Sequence, residues 1–186
     1  MSASPPHDSE HFSVDLSAVI VAVSEDEPKV LAIRSDGPDA LPAGRLESQH
    51  RTLEAGLRTW VERQTGQRLG YVEQLYTFGD SNRVLSGTSA EGRVLSIGYL
   101  ALVREAREHQ ASDAVWRDWY RYFPWEDWRD DKPRILARVE QQLKRWIAGA
   151  KSREDRQARE ERARIAFGLR DIAWSDERVL ERYELL

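Results

Sequence analysis

The stretch from Leu41 to Gly66 constrains the fold most. Leu41-Pro42-Ala43-Gly44 enters a loop, and from Leu53 onward the apolar positions Leu53, Leu57, Trp60 and Val61 fall at i, i+4, i+7 and i+8. That spacing is one face of an amphipathic helix. Thr52 is placed to cap its start and Gly66 to stop it. On both sides stand apolar, β-branched runs of strand length. Val14 to Val23 (VDLSAVIVAV) reads as a buried strand, and Lys29 to Arg34 returns antiparallel to it across the polar turn Glu25-Asp26-Glu27-Pro28. Tyr71 to Phe78 alternates as a half-buried strand does, and Arg93 to Val103 (RVLSIGYLALV) is another strongly apolar strand. Strands, one helix, then more strands predict a mixed α/β (α+β) layer, not a bundle.

Composition narrows the function classes. The 186 residues suit one domain with appended helices, and 32% charged residues points to long solvated helices. Without cysteine there is no disulfide, zinc–thiolate site or cysteine nucleophile. No apolar run approaches the ~20 residues of a membrane span. The opening Met1-Ser2-Ala3-Ser4-Pro5-Pro6 lacks a signal peptide's basic start and apolar core, so a cytoplasmic protein with no membrane partner is expected. Residues 1–12 read as a flexible tail and 13–110 as the α/β domain. From 111 to 186 we expect an aromatic-rich linker and a helical extension. In that last part, Trp116 to Trp128 holds four of the seven tryptophans. Pro133 then opens a helix with Ile135, Leu136, Val139, Leu143, Trp146 and Ile147 on one side. Lys151 to Arg164 is almost wholly charged at helical pairing distances, and Ser175-Asp176-Glu177 reads as the cap of a last helix. The end at Glu184-Leu185-Leu186 carries no glycine or proline stop, which suggests a chain that continues.

The Leu41–Gly66 frame resembles a Nudix box: glycine, five residues, Glu, seven residues, then Arg-Glu-apolar-x-Glu-Glu-x-Gly-apolar. With Gly66 on the terminal glycine, Thr59 and Trp60 stand at Arg-Glu, while Arg63 and Gln64 stand at the paired metal-binding glutamates. The earlier glutamate falls near His50, with one residue too many in the loop. Hydrolysis by such a box needs several carboxylates to hold hard divalent cations on a pyrophosphate, and Arg63 would repel them. Further on, Glu73-Gln74-Leu75-Tyr76-Thr77-Phe78-Gly79-Asp80 and Val94 to Leu102 are similar to the Nudix-related repressors of NAD metabolism, the NrtR group. The segment Phe123-Pro124-Trp125-Glu126-Asp127-Trp128 is similar to the related NadQ regulators in particular. The resemblance implies a Nudix-like mixed sheet sandwiched by helices and a degenerate box. It also implies a catalytically inactive sensor of an ADP-ribose-type or NAD-related metabolite, which would reach DNA only through a C-terminal winged helix that this sequence does not include.

Candidate site residues follow from both readings. Arg34, at a strand end beside the box loop, suits a ligand phosphate because guanidinium matches phosphate geometry. Gly44 and Glu47 lie in the box loop, with His50 near them. Phe78, Asp80 and Tyr99 belong to the matched segments and are candidates for stacking and a ribose hydrogen bond, although Tyr99 on an apolar strand also suits a core position. No catalytic residue is assigned and no cofactor is expected. The alternative, a divergent Nudix hydrolase of a nucleoside-diphosphate derivative, would need a magnesium site assembled from Glu47, Glu54 and Glu62. At helical spacing, however, Glu54-Arg58-Glu62 more often forms i,i+4 ion pairs. Trp60 on the apolar stripe suits core packing. The tryptophan cluster is interleaved with Asp118, Glu126 and Asp127, which argues against a polyanion surface and for packing. Its aromatic and aliphatic surface over 116–147 leads us to expect a homodimer.

Overall fold

The computed structural model describes residues 12–79, 93–104 and 113–186, and Asp80 therefore lies outside the described residues. The chain divides into two compact units, Met1–Trp119 and Tyr120–Leu186. The sequence pattern ends the α/β domain at residue 110. The first unit runs on to Trp119 because the strand Ala114–Asp118 pairs into its sheet.

In the first unit β1 (Phe12–Ser24) is the central strand. It pairs antiparallel with β2 (Glu27–Ile33) and with the short β3 (Ala43–Arg45), and parallel with β5 (Arg93–Val103). Beyond β5 lies β4 (Val72–Phe78), and beyond β2 lies β6 (Ala114–Asp118), giving the order β4-β5-β1-β2-β6 with β3 off this path on β1. The β1–β2 hairpin closes through Glu25 and Asp26, both at positive φ (57° and 61°), the mirror-type turn that matches strand twist.

Alternation sorts β1 by face. Leu16, Ala18, Ile20 and Ala22 are buried and stand in register with Ile97, Tyr99, Ala101 and Val103 of β5. Onto this face packs α1 (Leu53–Thr65), whose Leu57 and Val61 are fully buried. The helix ends as expected. Thr52 Oγ1 accepts the Ala55 N–H at 3.0 Å, and Gly66, at φ 67°, donates its N–H to the Glu62 carbonyl at 2.8 Å.

One strand departs from expectation. β4 is exposed from Glu73 to Thr77 and is not half-buried. It pairs with β5 alone, and its register shifts between Gln74 and Tyr76. A bulge at Leu75 breaks the period-two alternation that the sequence shows.

The second unit is helical. α2 (Ile135–Ala148) and α3 (Arg153–Ala166) bury Leu136, Val139, Leu143, Ala163 and Ala166 together with Phe167. Trp125, Trp146 and Trp174 pack against this cluster. α4 (Val179–Leu185) follows a short 3-10 turn over Asp176–Arg178. The Ser175 side chain makes no capping bond there; its carbonyl instead accepts from Arg182 Nη1 at 2.9 Å. Arg182 is wholly buried, forked onto Glu126 at 2.6 and 2.9 Å and lying 4.0 Å over the Trp174 ring. Much of the tryptophan-rich segment is thus engaged in packing, while Tyr122 and Trp128 stay exposed. Trp116 joins the first core, Trp125 the second, and Trp128 meets Trp174 at 5.0 Å. No helix among the described residues is long and apolar enough to cross a membrane.

Candidate functional site

The loop between β3 and α1 is positioned by the backbone on both sides. Ala18 N–H donates to the Pro42 carbonyl at 2.9 Å and Leu46 N–H to the Val14 carbonyl at 2.8 Å, fixing β3 against β1. Within the loop Glu47 N–H donates to His50 Nδ1 at 3.0 Å, and His50 N–H donates to the Glu47 carbonyl at 2.9 Å. The Glu47 carboxylate also accepts from the Gln49 amide. His50 lies against the α-carbon of Gly56, where a methyl would meet Nδ1 at 3.0 Å.

The helix face that the box pattern would line with carboxylates is closed onto β3. The Trp60 indole covers the α-carbon of Gly44 so tightly that a methyl there would lie 2.2 Å from the ring. Trp60 Nε1–H donates to the Arg45 carbonyl at 2.8 Å, and the Arg63 guanidinium stands 5.5 Å over the same ring. Gln64 meets Ala43 on both of its backbone groups, accepting from N–H at 3.0 Å and donating to the carbonyl at 2.8 Å. The remaining carboxylates are dispersed. Glu54 is held by Arg58 at 2.7 Å, and Arg58 also donates to the carbonyls of Leu69 and Gly70, pinning the end of the loop before β4. Glu62 turns to Arg68 at 2.7 Å and not to Arg58. No group of three His, Asp or Glu able to hold a metal ion occurs among the described residues. With its acids dispersed onto separate partners, Glu54 and Glu62 onto arginines and Glu47 onto an amide, the described part of the box offers hydrogen-bonding and aromatic surface but no cluster of hard oxygen ligands.

Five of the six sequence-predicted site residues are described, and these are partly gathered. A row across the sheet runs Phe78–Ser96–Asp15–Arg45, which sets Phe78 and the Gly44 loop at one level of the layer. Arg34 is exposed just past β2, beside Ala40, which bridges Ile33. Phe78 packs edge-on to Tyr76 at 4.9 Å. Glu47 belongs to the loop turn with His50. Gly44 faces Trp60. The Tyr99 ring lies in the core, with its hydroxyl 3.3 Å from Gln74 Oε1. Burial, and secondarily the Glu54 charge, raises the phenol's pKa above its ordinary value and keeps it a neutral donor. Sequence reasoning missed the roles of Gln64 and Arg58. Both act on backbone carbonyls brought close only by folding, so no local pattern announces them.

No family model matches the chain, and no curated protein matches it in sequence. Among solved structures, the chain is similar to the Nudix domain of Shewanella oneidensis NrtR complexed with ADP ribose. The two share 23% identity over 77% of this chain and 94% of that one, with a TM-score of 0.52. A MutT/nudix family protein from Enterococcus faecalis matches at 22% identity over 63% of this chain and 47% of its own, TM-score 0.48. A further Shewanella oneidensis NrtR structure matches at 23% identity over 73% of this chain and 63% of its own, TM-score 0.49. The chain spans less than two thirds of these last two proteins. The fold is that of a Nudix domain: a mixed sheet with the box helix seated on its central strand.

Proposed function

We propose that this Nudix fold is the metabolite-sensing part of a transcriptional regulator of NAD biosynthesis, binding an ADP-ribose-type or NAD-related nucleotide without hydrolysing it. One observation carries the reading: Trp60 and Gln64, at positions where the box would hold metal, are spent on fastening α1 to β3. A helix face so used has no carboxylates to offer a magnesium ion. The hydrolase alternative would require Glu47, Glu54 and Glu62 to converge, yet each already has a separate partner in Gln49, Arg58 and Arg68. The ligand class rests on the motif resemblance and on the NrtR Nudix domain of like fold, whose structure holds ADP ribose. On this reading Arg34 pairs with the pyrophosphate, Phe78 supplies a ring face and Asp80 a ribose contact. Gly44, Glu47 and Tyr99 shape the loop and the floor beneath. The working assembly would be a homodimer that passes ligand occupancy on to DNA binding.

Calorimetry with ADP-ribose, NAD and nicotinamide mononucleotide tests this directly. A charge-assisted hydrogen bond contributes roughly 1.5–3 kcal/mol, so Arg34→Ala should weaken binding by about one to two orders of magnitude. The fold should be little changed, because Arg34 is exposed. If none of the three ligands binds, the sensor reading fails for them; magnesium-dependent turnover abolished by Glu54→Gln or Glu62→Gln would establish the hydrolase instead.

A further inference from the structure

The second unit holds a cleft unrelated to the box. Lying between α2, α3 and the turn after α3, it encloses about 370 Å³, within the usual range of small-molecule sites. Its floor is apolar, formed by Ile147, the buried Ala163 and Leu169. Its walls are cationic, and these cations differ in how far they are committed. Arg164 is engaged by Glu161 and by Asp171, each at 2.8 Å, and Arg156 by Glu160 at 3.3 Å. Lys144 and Arg170 also line the cleft; neither side chain is in a hydrogen bond or ion pair with a described residue, and Arg170 acts only through its charge on the adjacent Asp171. Among the described residues, the only carboxylate lining the cleft is Glu160, the one that Arg156 holds.

The backbone supplies a second, independent observation. Arg170 sits at φ 61°, a left-handed conformation that a residue with a β-carbon adopts at a cost. The nearby Gly168, at φ 56°, shows what packing alone demands of this turn, since a methyl there would strike the Trp174 backbone at 2.7 Å. At 170 the side chain is exposed, and glycine would satisfy the backbone without strain. A strained arginine that lines the cleft and has no side-chain ion pair fits a ligand clamp better than a packing element.

We propose that this cleft binds a small organic anion with an apolar body. Its carboxylate or phosphate ester would lie between Lys144 and Arg170, and its hydrocarbon part on Ile147, Ala163 and Leu169. The inference does not depend on the sensor reading. Calorimetric titration of the full chain with octanoate, octyl phosphate, inorganic phosphate and octyl glucoside is the test. Binding is expected for at least one of the two anionic amphiphiles, and their ranking tells carboxylate from phosphate. Inorganic phosphate and octyl glucoside should each bind at least about tenfold more weakly, because each lacks one half of the recognition. Arg170→Gly should weaken amphiphile binding about tenfold or more while leaving the thermal midpoint equal or higher, and Lys144→Gln should also weaken it. The proposal is overturned if neither amphiphile binds, if octyl glucoside binds as well as they do, or if both variants bind like the parent. A lowered midpoint for Arg170→Gly would also overturn it, by making Arg170 structural.

Discussion

Gly44 and Trp60 form one packing unit, and its energetics can be isolated. A β-carbon at 44 has nowhere to go but into the indole, 2.2 Å away. Overpacking of this kind costs about 1–3 kcal/mol, so Gly44→Ala should lower the urea midpoint by a matching amount. In a Trp60→Ala background the same change should cost almost nothing, since the obstacle is gone; a cost that persists would mean that Gly44 serves another contact. Gln64 makes a sharper case, because it must both donate and accept. Its amide satisfies the Ala43 carbonyl and N–H together. Gln64→Glu, which restores the box residue, replaces the donor with a second acceptor facing that carbonyl. We expect a loss of about 1–3 kcal/mol of stability and no gain of magnesium binding, read by denaturation with and without the metal. Tighter magnesium binding by that variant would indicate a site needing only one more carboxylate. The exchange of glutamates for Arg63 and Gln64 is legible in the sequence. What Gln64 does instead is not, because Ala43 becomes its neighbour only once β3 pairs with β1 beneath α1.

At the scale of elements, signals carried within a few residues proved readable. The helix α1, its Thr52 cap and its Gly66 stop follow from spacing and capping chemistry, and so do the β1–β2 hairpin and the apolar side of α2. Features that depend on distant partners did not. Alternation in β4 implied a buried face, but the bulge at Leu75 and pairing with β5 alone leave both of its faces open. The aromatic segment was recognisable as packing, whereas its ionic partner, 56 positions away, was not. That partner now fixes α4: Arg182 joins Glu126 to the carbonyls of Ala166 and Ser175. Removing one member of a buried pair leaves the other charge uncompensated, at about 3–5 kcal/mol. Arg182→Ala should therefore destabilise the second unit by an amount in that range. Replacing both residues, Glu126→Leu with Arg182→Met, should recover most of it, since apolar residues of similar volume need no partner. Chemical denaturation followed by tryptophan fluorescence distinguishes the cases. A double variant no better than the single one would show that the two carbonyls, not the charge, set the cost.

The whole molecule joins two units whose titrating groups pull in opposite directions, and its response to pH should separate them. In the second unit, Arg129 holds the Asp127 carboxyl below its ordinary range, and Arg164 does the same for Glu161 and Asp171. Asp155 is lowered first by the Lys151 N–H and then by Arg159. A lowered folded pKa means that the unfolded chain takes up protons first. The stabilisation is therefore complete above the unfolded value of about 4 and is lost as pH falls through the folded values. In the first unit, burial raises Tyr99, so its contribution is complete below about pH 10 and is lost as pH rises through the folded value. The acidic groups are largely solvent-facing, so their effect is small singly and screened by salt. The Tyr99 effect comes chiefly from desolvation, with a smaller part from the Glu54 charge, and should largely resist salt. The seven tryptophans report each unit separately: Trp60, Trp116 and Trp119 lie in the first, the other four in the second. In an NMR titration, the second unit's indole N–H signals should leave their folded positions first on acidification below pH 4, with added salt narrowing the gap. Near-ultraviolet circular dichroism above pH 10 should show the first unit yielding first, with a Tyr99→Phe variant holding its signal to higher pH. Simultaneous loss of both sets of signals in acid, at low and high salt alike, would show that the two units unfold as one and that these ion pairs do not govern the order.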